Sequence, residues 1–299
     1  MRLHFHRWAA ALAAFSIPVL AAPVPPWRLT ESKHFEIYAQ TSDQRANAIL
    51  IRLEQLRAFF QQQNGWKASS SPVRVIIFAS DQPYRLRSTA DAYYVGSGDR
   101  DYIVMAAAAA SRDLAAVSHE AAHEYVHLVL RASNLQVPPW LKEGLAELYS
   151  TLRMDDRGTE LGGPLPARLD ILRSRDWMPL EELMAMSDAS LRHQERGAAD
   201  LFYAESWALT GMLALSPGYA GGFQHVIDAE GAAADAGLPS MDVLVHDLRV
   251  WVNRGASASV QLSRVASDSV AVEVSDVSQP SSGLLLAQLL LAAGEFDRA

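Results

Sequence analysis

The chain has 299 residues, of which 49% are hydrophobic, and it carries a formal net charge of -8. A chain of this size and apolar content can bury a sizeable core, so we expect a folded protein rather than a disordered one. Acidic and basic residues are interspersed, and the lack of a basic patch argues against nucleic acid and anionic lipid as partners. Cysteine is absent, which excludes disulfides and thiolate ligands and leaves histidine and carboxylates to hold any metal.

The first residues are typical of a secretory signal peptide. Arg2 and Arg7 give a positive start, and an apolar run follows over residues 8–22, shorter than the roughly 20 residues of a membrane-spanning helix. Small residues predict cleavage after Ala21, so residues 1–21 are interpreted as a signal peptide, with an uncleaved N-terminal anchor as the alternative. We therefore expect an exported protein, periplasmic or extracellular, with no membrane span after signal cleavage.

The first third of the chain predicts a small sheet and one long helix. Alternation at residues 34–39 is typical of a strand, and an amphipathic pattern over about 42–63 predicts a helix. Residues 72–80 are apolar enough for a buried strand. Two further short strands, 93–95 and 102–105, flank a glycine-containing turn.

Helical patterns dominate the rest of the chain. Ser111 is a candidate N-cap for a helix that continues to about Leu130, and a Pro-Pro pair separates it from a second helix at residues 140–152. The charged, Gly-containing stretch 155–166 is predicted to be a loop. Further helices are expected at residues 179–187, 198–215, 218–229 and 239–253, and short strands at 260–262 and 270–274.

Together these patterns predict an α+β fold, in which a small mixed N-terminal sheet is followed by a mainly helical half. We expect one domain over residues 27–254 and a short Ser/Val-rich segment with a helix over 255–299. Residues 284–299 resemble half of a tetratricopeptide-type repeat, which needs neighbours to bury its apolar face. Either the sequence stops before the rest of the repeat, or this helix packs on the preceding domain, and a plain amphipathic terminal helix is the alternative. We also expect that a protein partner can bind through this helix.

The predicted helix after Ser111 contains the sequence HEYVH at residues 123–127, an H-E-x-x-H motif. The spacing places both imidazoles on one helical face, where their ring nitrogens can reach one ion at about 2.0–2.1 Å. Glu124 lies further around the helix and can act as general base toward a water whose pKa zinc lowers toward about 7. The sequence WLKEGLAE follows at 140–147, and a carboxylate from it would leave one metal position open for water.

This pair of motifs resembles the gluzincin zinc metallopeptidases, and most of all the peptidase MA-like domains of bacterial secreted proteins. In that family the H-E-x-x-H motif is followed by a W-L-x-E-G-x-A-E segment. The first Glu of this segment binds the metal, a role that falls on Glu143. The resemblance implies a zincin-like fold, a zinc cofactor, and hydrolysis of a peptide or protein substrate by metal-activated water. The order of elements is similar over about residues 27–253, but the specific motifs lie within 119–149.

The histidine pair that binds the metal is ambiguous in the sequence. Residues 119–123 form another H-E-x-x-H motif, which precedes the one at residues 123–127 and shares His123 with it. All three imidazoles lie on one helical face, so periodicity does not choose between the pairs. The resemblance favours His123 and His127, because of the apolar residues after His127 and the distance to Glu143, and His119 is then expected at the rim of the site.

Two more side chains are candidates for the site. Glu147 follows Glu143 by one helical turn and is either a carboxylate that orients a metal-bound imidazole or an exposed helix acid, with direct ligation as a further alternative. Hydrolysis also needs a donor for the developing oxyanion. Tyr203, in a segment that resembles a later helix of the family, is our candidate, and a core-facing tyrosine is the alternative.

The sequence leaves the substrate and the activity open. Residues 101–105, directly before the helix with the motif, are predicted to be the sheet edge on which an extended peptide lies, and an ordinary sheet edge is the alternative. A catalytically silent zincin-like binding or scaffold protein is one alternative to a peptidase. A metallohydrolase acting on cell-wall amides is the other.

Overall fold

The computed structural model describes residues 24–64, 66–79, 92–106, 114–155, 158–192, 194–231, 237–265 and 270–295. The predicted signal peptide at residues 1–21 and the candidate N-cap Ser111 lie outside these ranges. Helices occur together with a mixed sheet, so the predicted α+β class is confirmed. None of the described helices has both the length and the apolar content needed to cross a membrane.

The described elements follow one another along the chain as nine strands and ten helices. The strands are β1 (Arg28–Glu31), β2 (Phe35–Ala39), β3 (Val73–Phe78), β4 (Ala92–Gly96), β5 (Asp101–Ala106), β6 (Arg153–Asp155), β7 (Gly158–Gly162), β8 (Ser259–Leu262) and β9 (Glu273–Asp276). The helices are α1 (Asp43–Phe59), α2 (Leu114–Ala132), α3 (Pro139–Ser150), α4 (Pro166–Ser174), α5 (Leu180–Ala185), α6 (Asp188–Arg192), α7 (Arg196–Leu215), α8 (Phe223–Asp228), α9 (Met241–Asn253) and α10 (Gln279–Ala292).

The larger sheet has the strand order β4-β5-β3-β2-β1-β9. Strands β2, β3 and β5 are parallel, whereas β4, β1 and β9 pair antiparallel with their neighbours. Strand β5 pairs on both sides, so the prediction that it forms the sheet edge is wrong. The Ser97–Arg100 turn is closed by a 3.1 Å backbone hydrogen bond and folds β4 against the outer side of β5. Strand β4 is therefore one of the two edge strands of the sheet as described.

Both faces of this sheet are covered, which accounts for the apolar run in β3. Val75 and Ile77 face the main core, while Ile76 and Phe78 face a second apolar layer. Helices α1 and α2 pack on the main-core face. A strand buried on both sides reads as continuous rather than alternating hydrophobicity.

The stretch 155–166 contains strands, so the prediction of a loop there is wrong. Strands β6 and β7 pair antiparallel, and β7 also pairs with β8, about a hundred residues further along the chain. Thr159 and Leu161 of β7 are buried. One of the two ladders of β7, the one with β8, joins it to a distant segment, which explains why its Gly-containing sequence gives a weak local signal.

Helix α4 follows directly after β7. The sequence patterns did not predict it, although Pro166 occupies its first position, where a missing N–H costs nothing. The helix packs on α7 and buries Leu169 and Leu172.

The C-terminal segment is part of the same structure. Strand β8 joins the small sheet and β9 pairs with β1 at the far edge of the large one. Helix α10 packs on the second face of the large sheet through Leu285 and Leu289. This is the second of the two arrangements expected for the helix, and residues 296–299 lie outside the described part.

Candidate metal centre

Two helices bring three side chains to one point. The Nε2 atoms of His123 and His127 are 3.1 Å apart, and they lie 3.3 and 3.2 Å from Oε2 of Glu143. For zinc with ligands at 2.0–2.1 Å, tetrahedral geometry puts neighbouring ligand atoms about 3.3 Å apart. The three atoms therefore form one face of a tetrahedron of the size that zinc prefers, and these residues fit a metal ion.

The local sequence explains why the three side chains meet. The histidines are one turn apart on α2, so their rings lie on the same face, in an edge-to-face arrangement with centroids 4.8 Å apart. Helix α3 starts at Pro139, directly after the break made by Pro138, and packs across α2. This crossing turns Glu143 inward, where it is only 7% exposed.

The cluster is strongly coupled electrostatically. Burial lowers the pKa of His123, but the hydrogen bond to Glu143 and the charges of Glu147 and Glu124 outweigh it and raise the pKa to about 9. Burial acts to raise the pKa of the Glu143 carboxyl, yet the two imidazoles hold it well below its usual range. Glu143 is therefore an anion over the whole physiological pH range, as a metal ligand has to be.

Glu147 lies on the Nδ1 side of the His123 ring. Its carboxylate is 1% exposed, so the alternative of an exposed helix acid is wrong. Oε1 lies 3.6 Å from Nδ1 of His123 and also accepts a hydrogen bond from Arg168. Burial acts to raise the pKa of Glu147, but Arg168 and the nearby imidazoles hold it well below its usual range. The carboxylate is thus charged and contacts the side of the ring that faces away from Glu143.

His119 does not join the cluster. Its Nε2 lies 3.4 Å from Oε2 of Glu147 and 3.4 Å from Oγ of Ser150. The Glu147 carboxylate lies near both His119 and His123, but in the described part of the chain the ligand atoms that converge are those of His123, His127 and Glu143. Of the two overlapping motifs, the one at residues 123–127 has the converging geometry.

Glu124 lies beside the three candidate ligands and is 9% exposed. Burial raises the pKa of its carboxyl, opposed by the charges of His127 and His123 and by a hydrogen bond from the backbone of Tyr94. The net shift is upward, which makes this carboxylate a stronger proton acceptor than a free glutamate. Tyr94 belongs to edge strand β4, so the candidate base also contacts the edge of the sheet.

Tyr203 of α7 lies next to the cluster, with its ring 6.4 Å from that of His123 in an edge arrangement. The ring is partly buried against the main core, so the tyrosine has both a core-facing side and a side near the site. Burial raises the pKa of its hydroxyl, and the charges of Glu143 and Glu124 add to this. The hydroxyl is therefore protonated at neutral pH and can donate a hydrogen bond.

Arg168 is a member of the site that the sequence did not indicate. Its guanidinium donates to Glu147 and lies over the Tyr203 ring, 5.5 Å from the centroid. It connects the carboxylate behind His123 with the candidate oxyanion donor. Arg168 lies on α4, a helix that the sequence patterns missed, and no motif in the sequence marks it.

Comparison with known proteins adds one family match. Residues 113–217 match the family described as "Protein of unknown function (DUF1570)". The matched range contains the three candidate ligands as well as Tyr203. The search of curated proteins found no match to this chain.

The position of Glu143 depends on a close contact at its neighbour, Gly144. A Cβ at this position would lie 2.5 Å from the backbone oxygen of Ser206 and would overlap the Thr210 side chain. The backbone of α7 cannot rotate away, so Gly144→Ala is expected to push α3 from α7 and destabilise the protein by about 1–3 kcal/mol. Chemical denaturation measures the loss, and titration with zinc is expected to show weaker binding because α3 carries Glu143.

A matched control is Gly211→Ala on α7. Its Cβ would meet Trp251 at 3.8 Å, an ordinary contact. Alanine favours the helix over glycine by about 1 kcal/mol, so this variant is expected to be as stable as the parent or more so. Equal stability of the Gly144→Ala and Gly211→Ala variants would contradict the packing argument.

Proposed function

We propose that this protein is a zinc metallopeptidase of the gluzincin type. The observation that carries the proposal is the triangle of Nε2, Nε2 and Oε2 atoms from His123, His127 and Glu143, with sides of 3.1–3.3 Å. Two histidines and one glutamate are the ligand set of thermolysin-type catalytic zinc, and three protein ligands leave a fourth position for water. A structural zinc site would have four protein ligands.

The buried Glu124 supplies the proton transfer. A bound zinc ion supplies Lewis acidity, which lowers the pKa of water toward about 7 and polarises a carbonyl. Glu124 would take a proton from the attacking water and return it to the leaving amine. Its upward-shifted pKa supports this role, because a base closer to neutral pH can both accept and release the proton.

Two further groups would act on the substrate. The protonated hydroxyl of Tyr203 would donate a hydrogen bond to the developing oxyanion. Edge strand β4 would pair with an extended peptide by strand addition. The hydrogen bond from the Tyr94 backbone to Glu124 supports this path, since a peptide on that edge would pass the base. With its predicted signal peptide, the enzyme would act on peptides or proteins in the periplasm or outside the cell.

Metal content and metal removal test the proposal directly. We expect the purified protein to bind one zinc per chain, measured by elemental analysis after dialysis. We also expect it to cleave members of a peptide pool, lose this activity with 1,10-phenanthroline, and regain it with added zinc. Protein without stoichiometric zinc would refute the metal centre. Zinc binding without cleavage of peptides or of peptidoglycan fragments would favour the scaffold alternative.

A further inference from the structure

The described part of the protein contains a cavity of about 430 Å³. It is open to solvent and is lined by residues of α1, α2, α3 and β6. Arg52 and Gln55 come from α1, and Ser118 and His119 from α2. None of the three candidate metal ligands lines it. We call it the Arg52 cavity.

Arg52 is a largely buried cation in an unusual position. Its guanidinium donates one hydrogen bond of 3.2 Å, to the carbonyl of Ser150. Among the residues that the structure describes, no carboxylate forms an ion pair with it. Burial lowers the pKa of Arg52 to about 10, so the side chain is still charged at neutral pH. A buried charge without a partner is costly, and proteins normally pair such groups.

Two other partly buried arginines of this protein follow the normal pattern. Arg168 pairs with Glu147, and Arg74 pairs with Glu36 at 2.7 Å. Arg52 differs from both, because it lines a cavity and forms no ion pair with a carboxylate of the described residues. In the part of the chain that the structure describes this negative partner is missing, which points to a ligand that carries the charge.

Among the other polar residues of the lining, hydrogen-bond donors and basic groups outnumber acidic groups, which fits an anionic ligand. His119 and Arg153 add cationic or donor groups, and Gln55 and Ser118 add neutral donors. Arg153 also pairs with Glu160 at 3.4 Å and is exposed, so Arg52 is the inner positive charge. Asp155 also lines the cavity, but this residue is exposed to solvent.

We propose that the Arg52 cavity binds a small organic anion with a carboxylate or phosphate group, held by the guanidinium of Arg52. The forked donors of arginine match both groups. A volume of about 430 Å³ lies within the roughly 300–1,000 Å³ of small-molecule sites, so the cavity has room for more than a bare oxyanion. The cavity adjoins the metal centre through His119, which lines it and contacts Glu147, but anion binding by Arg52 does not depend on the proposed peptidase chemistry.

The test compares the full-length protein with Arg52→Gln and Arg45→Gln. Arg45 lies on the same helix, outside the cavity lining, and its replacement makes the same change in charge. The probes are inorganic phosphate, and N-acetylglycine against N-acetylglycinamide, each titrated at constant ionic strength in sodium chloride. Binding is read from the thermal unfolding midpoint and by calorimetry, so no turnover is required.

We expect the unmodified protein and Arg45→Gln to bind one or both anions, and Arg52→Gln to bind about 10- to 100-fold more weakly, as loss of a charge-assisted hydrogen bond predicts. The uncharged amide is expected not to bind. Phosphate and N-acetylglycine separate a phosphate ligand from a carboxylate ligand. Any anion bound at the metal centre affects all three proteins equally and cancels in the comparison.

Equal affinities of the unmodified protein and Arg52→Gln, or no saturable binding to either anion, would overturn the proposal. Without ligand, Arg52→Gln is expected to be at least as stable as the parent, because it removes an unpaired buried charge. If Arg52→Gln does not fold, Arg52→Lys keeps the charge but removes the forked donor. The same loss of affinity relative to Arg45→Gln is then expected, and an unchanged affinity would again overturn the proposal.

Discussion

Glu124→Gln is expected to lower the kcat/KM for peptide hydrolysis by about 10²–10⁴-fold, the usual contribution of a general base. Glutamine keeps the size of the side chain and its contact with the Tyr94 backbone, but it cannot accept the proton of water. The residue is not a candidate ligand, so zinc content and thermal stability are expected to stay close to those of the parent. The measurement uses whichever peptide of the pool the unmodified protein cleaves fastest.

The matched control is Glu120→Gln, one turn earlier on α2. Glu120 is the corresponding acid of the overlapping motif at residues 119–123. If the motif at residues 123–127 carries the chemistry, Glu120→Gln keeps nearly full activity while Glu124→Gln loses it. Retention of activity by Glu124→Gln would refute the proposed mechanism. Loss of activity in Glu120→Gln alone would assign the chemistry to the motif at residues 119–123.

His127→Ala is expected to weaken zinc binding by more than about a hundredfold, beyond the 10- to 100-fold effect of residues that only support a ligand. The variant removes one corner of the triangle, so two protein ligands remain. His119→Ala is expected to cost at most about 10- to 100-fold, because His119 contacts Glu147 rather than the ligand cluster. Competition with a chelator of known affinity measures both.

The same pair of variants decides between the two histidine registers. Stoichiometric zinc in His127→Ala, together with loss of zinc in His119→Ala, would show that the motif at residues 119–123 binds the metal. Circular dichroism checks that both variants keep the helical content of the parent. His127 is partly exposed and lies at the site rather than in the core, so its removal is expected to leave the fold intact.

Much of the fold follows from local patterns. The strands near residues 35–39, 73–78 and 101–106 and the helices that carry the two motifs were predicted close to their observed positions. These elements are long or strongly apolar, so their periodicity is clear. The hairpin of β6 and β7 was missed because its ladder is completed by β8, far along the chain. Local sequence carries little information about such a pairing.

The edge of the large sheet was also decided by distant contacts. Strands β4 and β5 were both predicted, but their order in the sheet depends on which side of β5 pairs with β3. A strand sequence specifies which residues share a face and does not specify its neighbours. The prediction placed the edge one strand too far inward for this reason.

The candidate site also depends partly on local sequence patterns and partly on tertiary structure. Two short-range patterns, the H-E-x-x-H spacing and the W-L-x-E-G-x-A-E segment, contain four of the five residues proposed to act in hydrolysis, because a helix turns such spacing into a shared face. The fifth, Tyr203, was proposed from the resemblance of its segment to a later helix of the family. Only the crossing of α2 and α3 brought Glu143 to His123 and His127 and left His119 beside Glu147. The burial of Glu147, its ion pair with Arg168 and the unpaired charge of Arg52 likewise emerged only in three dimensions. Spacing along one helix determines which side chains share a direction, whereas the packing of separate elements determines what those side chains meet.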